Sequence, residues 1–231
     1  MKILAIDTAT EACSAALYID GACTQRYEVV PRKHAELILP MCEELLQEAG
    51  VGLKELDCLA FGRGPGAFTG LRIAAGVIQG MAWANELPVV PVSSLAALAY
   101  SAWREHGHSK IMAATDARIN EVYWGCYECS DGEALLQTEE QVCAPANAIL
   151  PQGDGWFGIG SGWAAYEAEL SQHTVSQCAK YDAKAFAQAQ DIAVLAATAF
   201  GRGEAVSAEQ ALPVYVRNDV AKKKKEQGKK S

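Results

Sequence analysis

The chain has 231 residues, half of them hydrophobic and 21% charged, with a formal net charge of −8. That length and balance suit one large domain or two small lobes around a packed core, and exclude a disordered or fibrous chain. The charge is uneven: Lys222–Ser231 holds six Lys against one Glu, leaving the rest of the chain at −13, so the body is a poor stand-alone binder of nucleic acid, whose affinity rests on neutralising phosphates.

Near the start, Lys2–Asp7 reads as a buried strand ending in an acid, and Thr8–Glu11 as a turn. Cys13–Ile19 and Cys23–Val30 read as two more strands joined by the Asp20-Gly21 hairpin turn. Asp7 and Glu11 interrupt the apolar run, so the expectation is no export signal, a cytoplasmic protein and reduced thiols for the eight cysteines. No stretch is apolar for long enough to span a bilayer.

From His34 to Ala49 the pattern is helical. Leu37, Ile38, Met41, Cys42, Leu45, Leu46 and Ala49 form one stripe, and Gly50 closes it. Pro40 is out of place inside a helix, where it removes a hydrogen bond and invites a kink. Asp57–Phe61 is a short strand leading into GRGPGAFTG.

The glycines at 62, 64, 66 and 70 predict a tight turn, and Thr69 an N-cap for a helix to Asn85. A glycine turn at a helix N-terminus suits an anion. Further along, Gly76, Gly80 and Ala84 recur every four residues and share one face. Glycine in a helix interior costs about 1 kcal/mol relative to alanine, so something must come close there. Two readings are open: the chain's own packing, or a helix of another subunit.

Pro88–Val92 is a further buried strand, and Ser93 or Ser94 caps a helix to Trp103. After the polar stretch Glu105–Ser109 the pattern restarts: KIMAATDARINEVYWGCY from Lys110 echoes KILAIDTATEACSAALY from Lys2. Each copy is a strand, an acid-bearing turn and a second strand, then an Asp-Gly turn. This predicts a duplicated unit, with a first lobe over 1–105, a smaller second lobe over 106–220 and a basic tail over 221–231. In the second copy, Trp156–Ile159 reads as a strand, Trp163–Leu170 and Ala183–Phe200 as helices, and Leu212–Arg217 as extended.

No catalytic constellation emerges. Cys126 and Cys129 form a CxxC, but residues three apart in a strand face opposite sides, and no further ligands follow. GIGSGW at 158–163 reads as a strand-to-helix turn rather than a dinucleotide fingerprint. Ser161 lacks the glycines two residues to either side that a nucleophile elbow requires. Of His34, His106, His108 and His173, only His106 and His108 make a weak metal pair, with no third ligand in view, and no metal site is expected.

The opening Asp7-Thr8-Ala9-Thr10 is similar to the first turn of actin-like ATPases and sugar kinases, which cradles phosphate. That turn usually carries a glycine, absent here, so both a structural turn and a phosphate site stay open, with Asp7, Thr8, Thr10, Gly64 and Gly66 as the candidate degenerate nucleotide cleft. A free-standing nucleotide-dependent phosphotransferase, with Asp7 as its metal-bound acid, is the alternative reading of the whole chain.

Three segments, ILAIDTATEACSAAL, GRGPGAFTGLRIAAG and PVYVRNDVA, together resemble the bacterial TsaB (YeaZ) family over essentially the whole chain. The resemblance implies an α/β fold of the duplicated actin-like, ribonuclease H-like (ASKHA) kind with an abbreviated second lobe. It implies a non-catalytic role in making N6-threonylcarbamoyladenosine in tRNA, beside a catalytic TsaD-like subunit and a TsaE-like ATPase, with self-association through the same helices. ATP or ADP is then expected at the complex interface rather than on this chain alone, and tRNA is met through the complex. TsaD-like chains carry a metal-holding histidine pair after the strand equivalent to Pro88–Val92; here those positions are Ser94 and Leu98. The expected partner interface is Leu37, Met41, Leu45, Gly76, Gly80 and Ala84.

Overall fold

The computed structural model of the chain describes residues 1–216. The basic tail over 221–231 therefore lies outside the described residues. Strands β1 (Lys2–Asp7), β2 (Ala12–Ile19), β3 (Ala22–Val29), β4 (Cys58–Gly62) and β5 (Val89–Val92) form one sheet in the order β3-β2-β1-β4-β5. A second sheet has β6 (Lys110–Arg118), β7 (Glu121–Ser130), β8 (Glu133–Leu136), β10 (Trp156–Ile159) and β11 (Cys178–Asp182) in the order β11-β10-β6-β7-β8, with β9 (Gln141–Cys143) paired to β7. The two orders match strand for strand. β1 and β6 each pair antiparallel with the next strand and parallel with the one beyond. The duplication read from Lys2–Tyr18 and Lys110–Tyr127 is thus present in three dimensions, and the fold is the two-lobed actin-like α/β fold.

Among the described residues there are six α-helices: α1 (His34–Ala49), α2 (Phe68–Asn85), α3 (Ser94–His106), α4 (Ser161–Ala165), α5 (Glu167–His173) and α6 (Ala189–Gly201). Strand alternation sorts the core. Leu4 and Ile6 of β1 face α1 and α2, whereas Ile3 and Ala5 face the space between the sheets, filled by α3 and α6. Met112, Ala114, Trp124 and Trp163 make a third cluster on the far face of the second sheet. The layers therefore run α1/α2, first sheet, α3/α6, second sheet, α4/α5.

The two middle helices are exchanged: α3, which follows the first sheet in sequence, packs on β6 and β7, while α6, from the second half, packs on β1 and β2. The buried Ser14 of β2 accepts the N–H of Ala189 at 3.0 Å and so caps α6 from the other half of the chain. The second sheet begins at Lys110, but the packing runs across the sequence between the repeats.

Several expectations need correction. α2 starts at Phe68, with Ala67 as N-cap and no side-chain cap, so Thr69 lies inside the helix. Its start is fixed instead by the Ala67 N–H, which donates to the Ala9 carbonyl at 2.7 Å. The helix predicted over 163–170 is two short helices, broken at Tyr166, whose hydroxyl reaches Asp116 at 3.3 Å. Residues 183–188 precede α6 rather than belonging to it, because Asp182 accepts the Lys184 N–H in a local turn. Pro40 stays within α1, on its exposed side. Residues 212–216 join no strand, and Val214 N–H donates to the Arg63 carbonyl at 2.8 Å. Ser93, of the two candidates, caps α3 by accepting from Ala96 N–H at 3.2 Å.

Candidate functional site: an inter-lobe cleft and a bare helix face

The glycine loop after β4 is shaped by the turn after β1. A Cβ on Gly70 would sit 1.9 Å from the Thr8 carbonyl oxygen, and one on Gly66 2.4 Å from that of Ala9. Neither position accepts a side chain, because what it meets is backbone. The Thr8 hydroxyl donates back to the Gly70 carbonyl at 2.7 Å. What comes close to this glycine backbone is therefore the chain's own first turn.

Asp7 is sealed beneath that contact at 1% exposure. Its Oδ1 accepts the Ala9 N–H at 2.7 Å and its Oδ2 the Ser94 hydroxyl at 3.0 Å. Burial raises its pKa from 3.8 to about 6, against the opposing pull of those two hydrogen bonds. A second contact ties the same loop to the other half: Arg63 lies 3.6 Å from Glu140, which accepts from the Tyr127 hydroxyl at 2.6 Å and from Ser93.

Above the glycine loop opens a cleft of about 870 Å³ between the β1–β2 turn, the start of α1, the start of α2 and the β6–β7 turn. Of the predicted group, Thr8, Thr10 and Gly66 line it, while Asp7 and Gly64 do not. Thr10 accepts the Ala12 N–H at 3.3 Å, closing a local turn. On the opposite wall Arg118 bridges the halves, 2.9 Å from Glu11 and 2.9 Å from Asp116. It belongs to a tip, Arg118-Ile119-Asn120, in which all three residues take positive φ without a glycine, and Ile119 is 80% exposed. Arg118 and His34 are cleft residues that spacing alone did not mark. His34 sits four residues before Ile38 on the apolar stripe of α1, and that position was the available signal.

The second candidate surface is α2. Leu71, Ala74, Ala75, Ile78 and Ala82 point into the core. Gly76, Gly80 and Ala84 lie on the exposed side, and a Cβ on either glycine would meet nothing within 4 Å. Close packing within the chain is therefore not what keeps them glycine. Large apolar groups flank the stripe: Trp83 is 66% exposed, and Phe68, beneath the guanidinium of Arg72 and beside Tyr215, is 50% exposed. Met41 and Leu45 of α1 do not join this surface. They are 5% and 1% exposed, spent on the core under the first sheet. Leu37 is partly exposed, and Leu39 is the apolar residue that α1 presents outward.

Among the described residues no group of three or more His, Cys, Asp or Glu could hold a metal ion. Ser94 spends its hydroxyl on Asp7, and Leu98 is buried in the core between the sheets. Cys126 and Cys129 face opposite sides of the second sheet, in different core clusters. No helix among the described residues is long and apolar enough to cross a membrane.

Comparison with known proteins agrees with this architecture. The family model described as TsaD, tRNA N6-adenosine threonylcarbamoyltransferase, matches residues 24–225. The tRNA threonylcarbamoyladenosine biosynthesis protein TsaB of Escherichia coli is 41% identical over 97% of this chain and 98% of its own length. That of Haemophilus influenzae is 42% identical over 97% of each. Among solved structures, YeaZ from Pseudomonas aeruginosa superposes with a TM-score of 0.86 at 50% identity, covering 93% of this chain and 99% of that one. A second structure from that organism, described as similar to peptidase YeaZ, gives a TM-score of 0.87 at 49% identity, over 94% of this chain and 99% of that one. The chain belongs to the TsaB (YeaZ) family of tRNA threonylcarbamoyladenosine biosynthesis proteins.

Proposed function

We propose that this chain is a non-catalytic subunit of the tRNA threonylcarbamoyladenosine machinery, docking through the exposed face of α2 on the equivalent helices of a TsaD-like catalytic subunit. The observation that carries the reading is the stripe Gly76–Gly80–Ala84. It is exposed and has no Cβ contact to avoid within the chain, yet it accepts the helical cost of two glycines. A partner helix crossing at that stripe comes closer than the ordinary 8–10 Å, and Phe68 and Trp83 supply apolar anchors at its ends. A shared fold makes the pairing pseudo-symmetric, and the same face serves a homodimer when the chain is alone. Nucleotide belongs to the interface of the assembled complex, where a TsaE-like ATPase joins, and tRNA is held by the assembly. The setting is the cytoplasm.

The state of Asp7 supports the non-catalytic part of this reading. An acid that activates a metal-bound water must face the ligand. This one is capped on both oxygens and does not line the cleft. Co-sedimentation of the chain with a TsaD-type subunit tests the docking. Gly80→Leu should abolish the complex and leave the monomer folded, and an intact complex would refute the interface.

A further inference from the structure

The exposed ridge of α2 connects residue 215 to a groove at the far end of the helix. Phe68, Arg72, Gly76, Gly80 and Ala84 follow one another at steps of four, and all are exposed. Val206 bridges to Val89 beside the C-terminal end of α2, and the Ala211 carbonyl accepts from Gln79 midway along it at 3.2 Å. Tyr215 then sits on Phe68, with ring centroids 5.5 Å apart, and its hydroxyl accepts from Arg72 at 3.4 Å. Residues 206–215 thus run the length of the helix backwards and finish on the first two members of the ridge. At the other end a groove of about 580 Å³ opens between Trp83, Glu86, Leu87 and Pro88 on one side and Ala205–Glu209 on the other. It is mostly apolar, but Glu86 and Glu209 have no ion pair among the described residues. α2 carries no base in its last turn to offset the negative end of its dipole.

We propose that residues 217–231 of the same chain turn back along this ridge and seat their lysines in the groove. The charge of the groove asks for a cation, and the sequence supplies Lys222–Lys225 within reach. An extended chain covers about 3.3 Å per residue, so these lysines can reach about 20–30 Å from residue 216. The helix rise of about 1.5 Å per residue puts Glu86 about 21 Å beyond Arg72. The residues between cross Gly76 and Gly80, where no side chain keeps a second backbone away. In the groove a lysine ammonium meets the two carboxylates, the helix end and the face of the exposed Trp83. Each exposed ion pair is weak, but tethering holds the tail at an effective concentration of about millimolar. The seat stands on these features alone. Its consequence rests on the docking proposed above: tail and partner share one face, so the tail covers the stripe until a partner displaces it.

The test uses full-length protein. Zero-length carbodiimide cross-linking of an equal mixture of ¹⁴N- and ¹⁵N-labelled chain, read by mass spectrometry, should join Lys222–Lys225 to Glu86 or Glu209 within one chain. In a variant carrying Lys222→Glu, Lys223→Glu, Lys224→Glu and Lys225→Glu, the Trp83 indole ¹H–¹⁵N signal should move, with thermal unfolding verifying the fold. Salt at about 0.5 M should move the native signal the same way by screening. The variant should bind a TsaD-type subunit at least threefold more tightly than the native chain. Mixed-label links, or links only to other carboxylates, overturn the seat, as does a Trp83 signal common to the native chain and the variant. An unaltered partner affinity with the seat verified overturns the competition. Absence of partner binding by both proteins would instead refute the docking reading and leave the seat standing.

Discussion

Ser94, the first residue of α3, donates its hydroxyl to Oδ2 of Asp7, the last residue of β1, at 3.0 Å. α3 packs on the second sheet and β1 lies at the centre of the first, so this bond ties the start of that helix to the central strand of the first sheet. It also removes the carboxylate from the cleft above it. An acid placed at the end of the first strand has become an internal strut.

The strut makes a pH prediction. The Asp7 pKa rises from 3.8 to about 6 on burial. The folded state therefore disfavours the ionised form, so this group erodes stability as pH climbs from 4 to 6 and withholds about 3 kcal/mol above that at 1.36 kcal/mol per unit. Asp7→Asn keeps the shape, accepts from Ala9 N–H and donates to Ser94. It should raise urea-unfolding stability by about 2–3 kcal/mol at pH 8 and leave it unchanged near pH 3.5. Equal stability of the two proteins at pH 8 would show that the buried carboxylate is not strained.

A second pair links the exchanged helices. Arg104 of α3 holds the fully buried Asp191 of α6 with a two-pronged contact, Nε to Oδ1 at 2.8 Å and Nη2 to Oδ2 at 3.0 Å. Removing one partner strands a buried charge. Arg104→Ala should cost about 3–5 kcal/mol at pH 8. Burial lifts the Asp191 pKa to about 6 even with Arg104 present, so the loss should shrink below pH 5, where the acid is neutral. Denaturant midpoints at the two pH values provide the comparison.

The glycines divide by what they face, and alanine scanning should show it. Gly70→Ala drives a Cβ to 1.9 Å from the Thr8 carbonyl. It should destabilise by about 3 kcal/mol, the upper end for overpacking. Gly76→Ala meets nothing and should stabilise the monomer by up to about 1 kcal/mol, the helix propensity difference. If it also weakens association with a partner, the glycine is kept for contact rather than for folding. Thermal unfolding of dilute monomer, read beside sedimentation, separates the two effects.

Local chemistry made much of this readable in the chain. The apolar alternation of Lys2–Asp7 and its echo at Lys110 predicted both central strands, and Gly50 closed α1 as expected. Long-range contacts were not readable. The start of α2 depends on the Ala9 carbonyl, far away in sequence, and not on a side-chain cap. Ala183–Gln188 has helical composition, yet the Asp182 turn holds it out of α6. The exchange of α3 and α6 between sheets leaves no mark in periodicity, because each helix buries an apolar face either way. At the site, the likeness of the first turn to a phosphate cradle pointed to Thr8 and Thr10, and the glycine turn before α2 pointed to Gly66; all three line the cleft. Met41 and Leu45 were assigned to a partner surface because spacing shows which residues share a stripe, not what covers it.

Reconstitution of tRNA threonylcarbamoylation tests the central claim most directly. A TsaD-type catalytic subunit and a TsaE-type ATPase would be supplied with their substrates, with this chain added, omitted or replaced by Gly80→Leu. The account predicts modification only with the wild-type chain, and unchanged activity when Asp7→Asn replaces it. Full modification without the chain, or loss of modification with a folded, partner-bound Asp7→Asn protein, would contradict it.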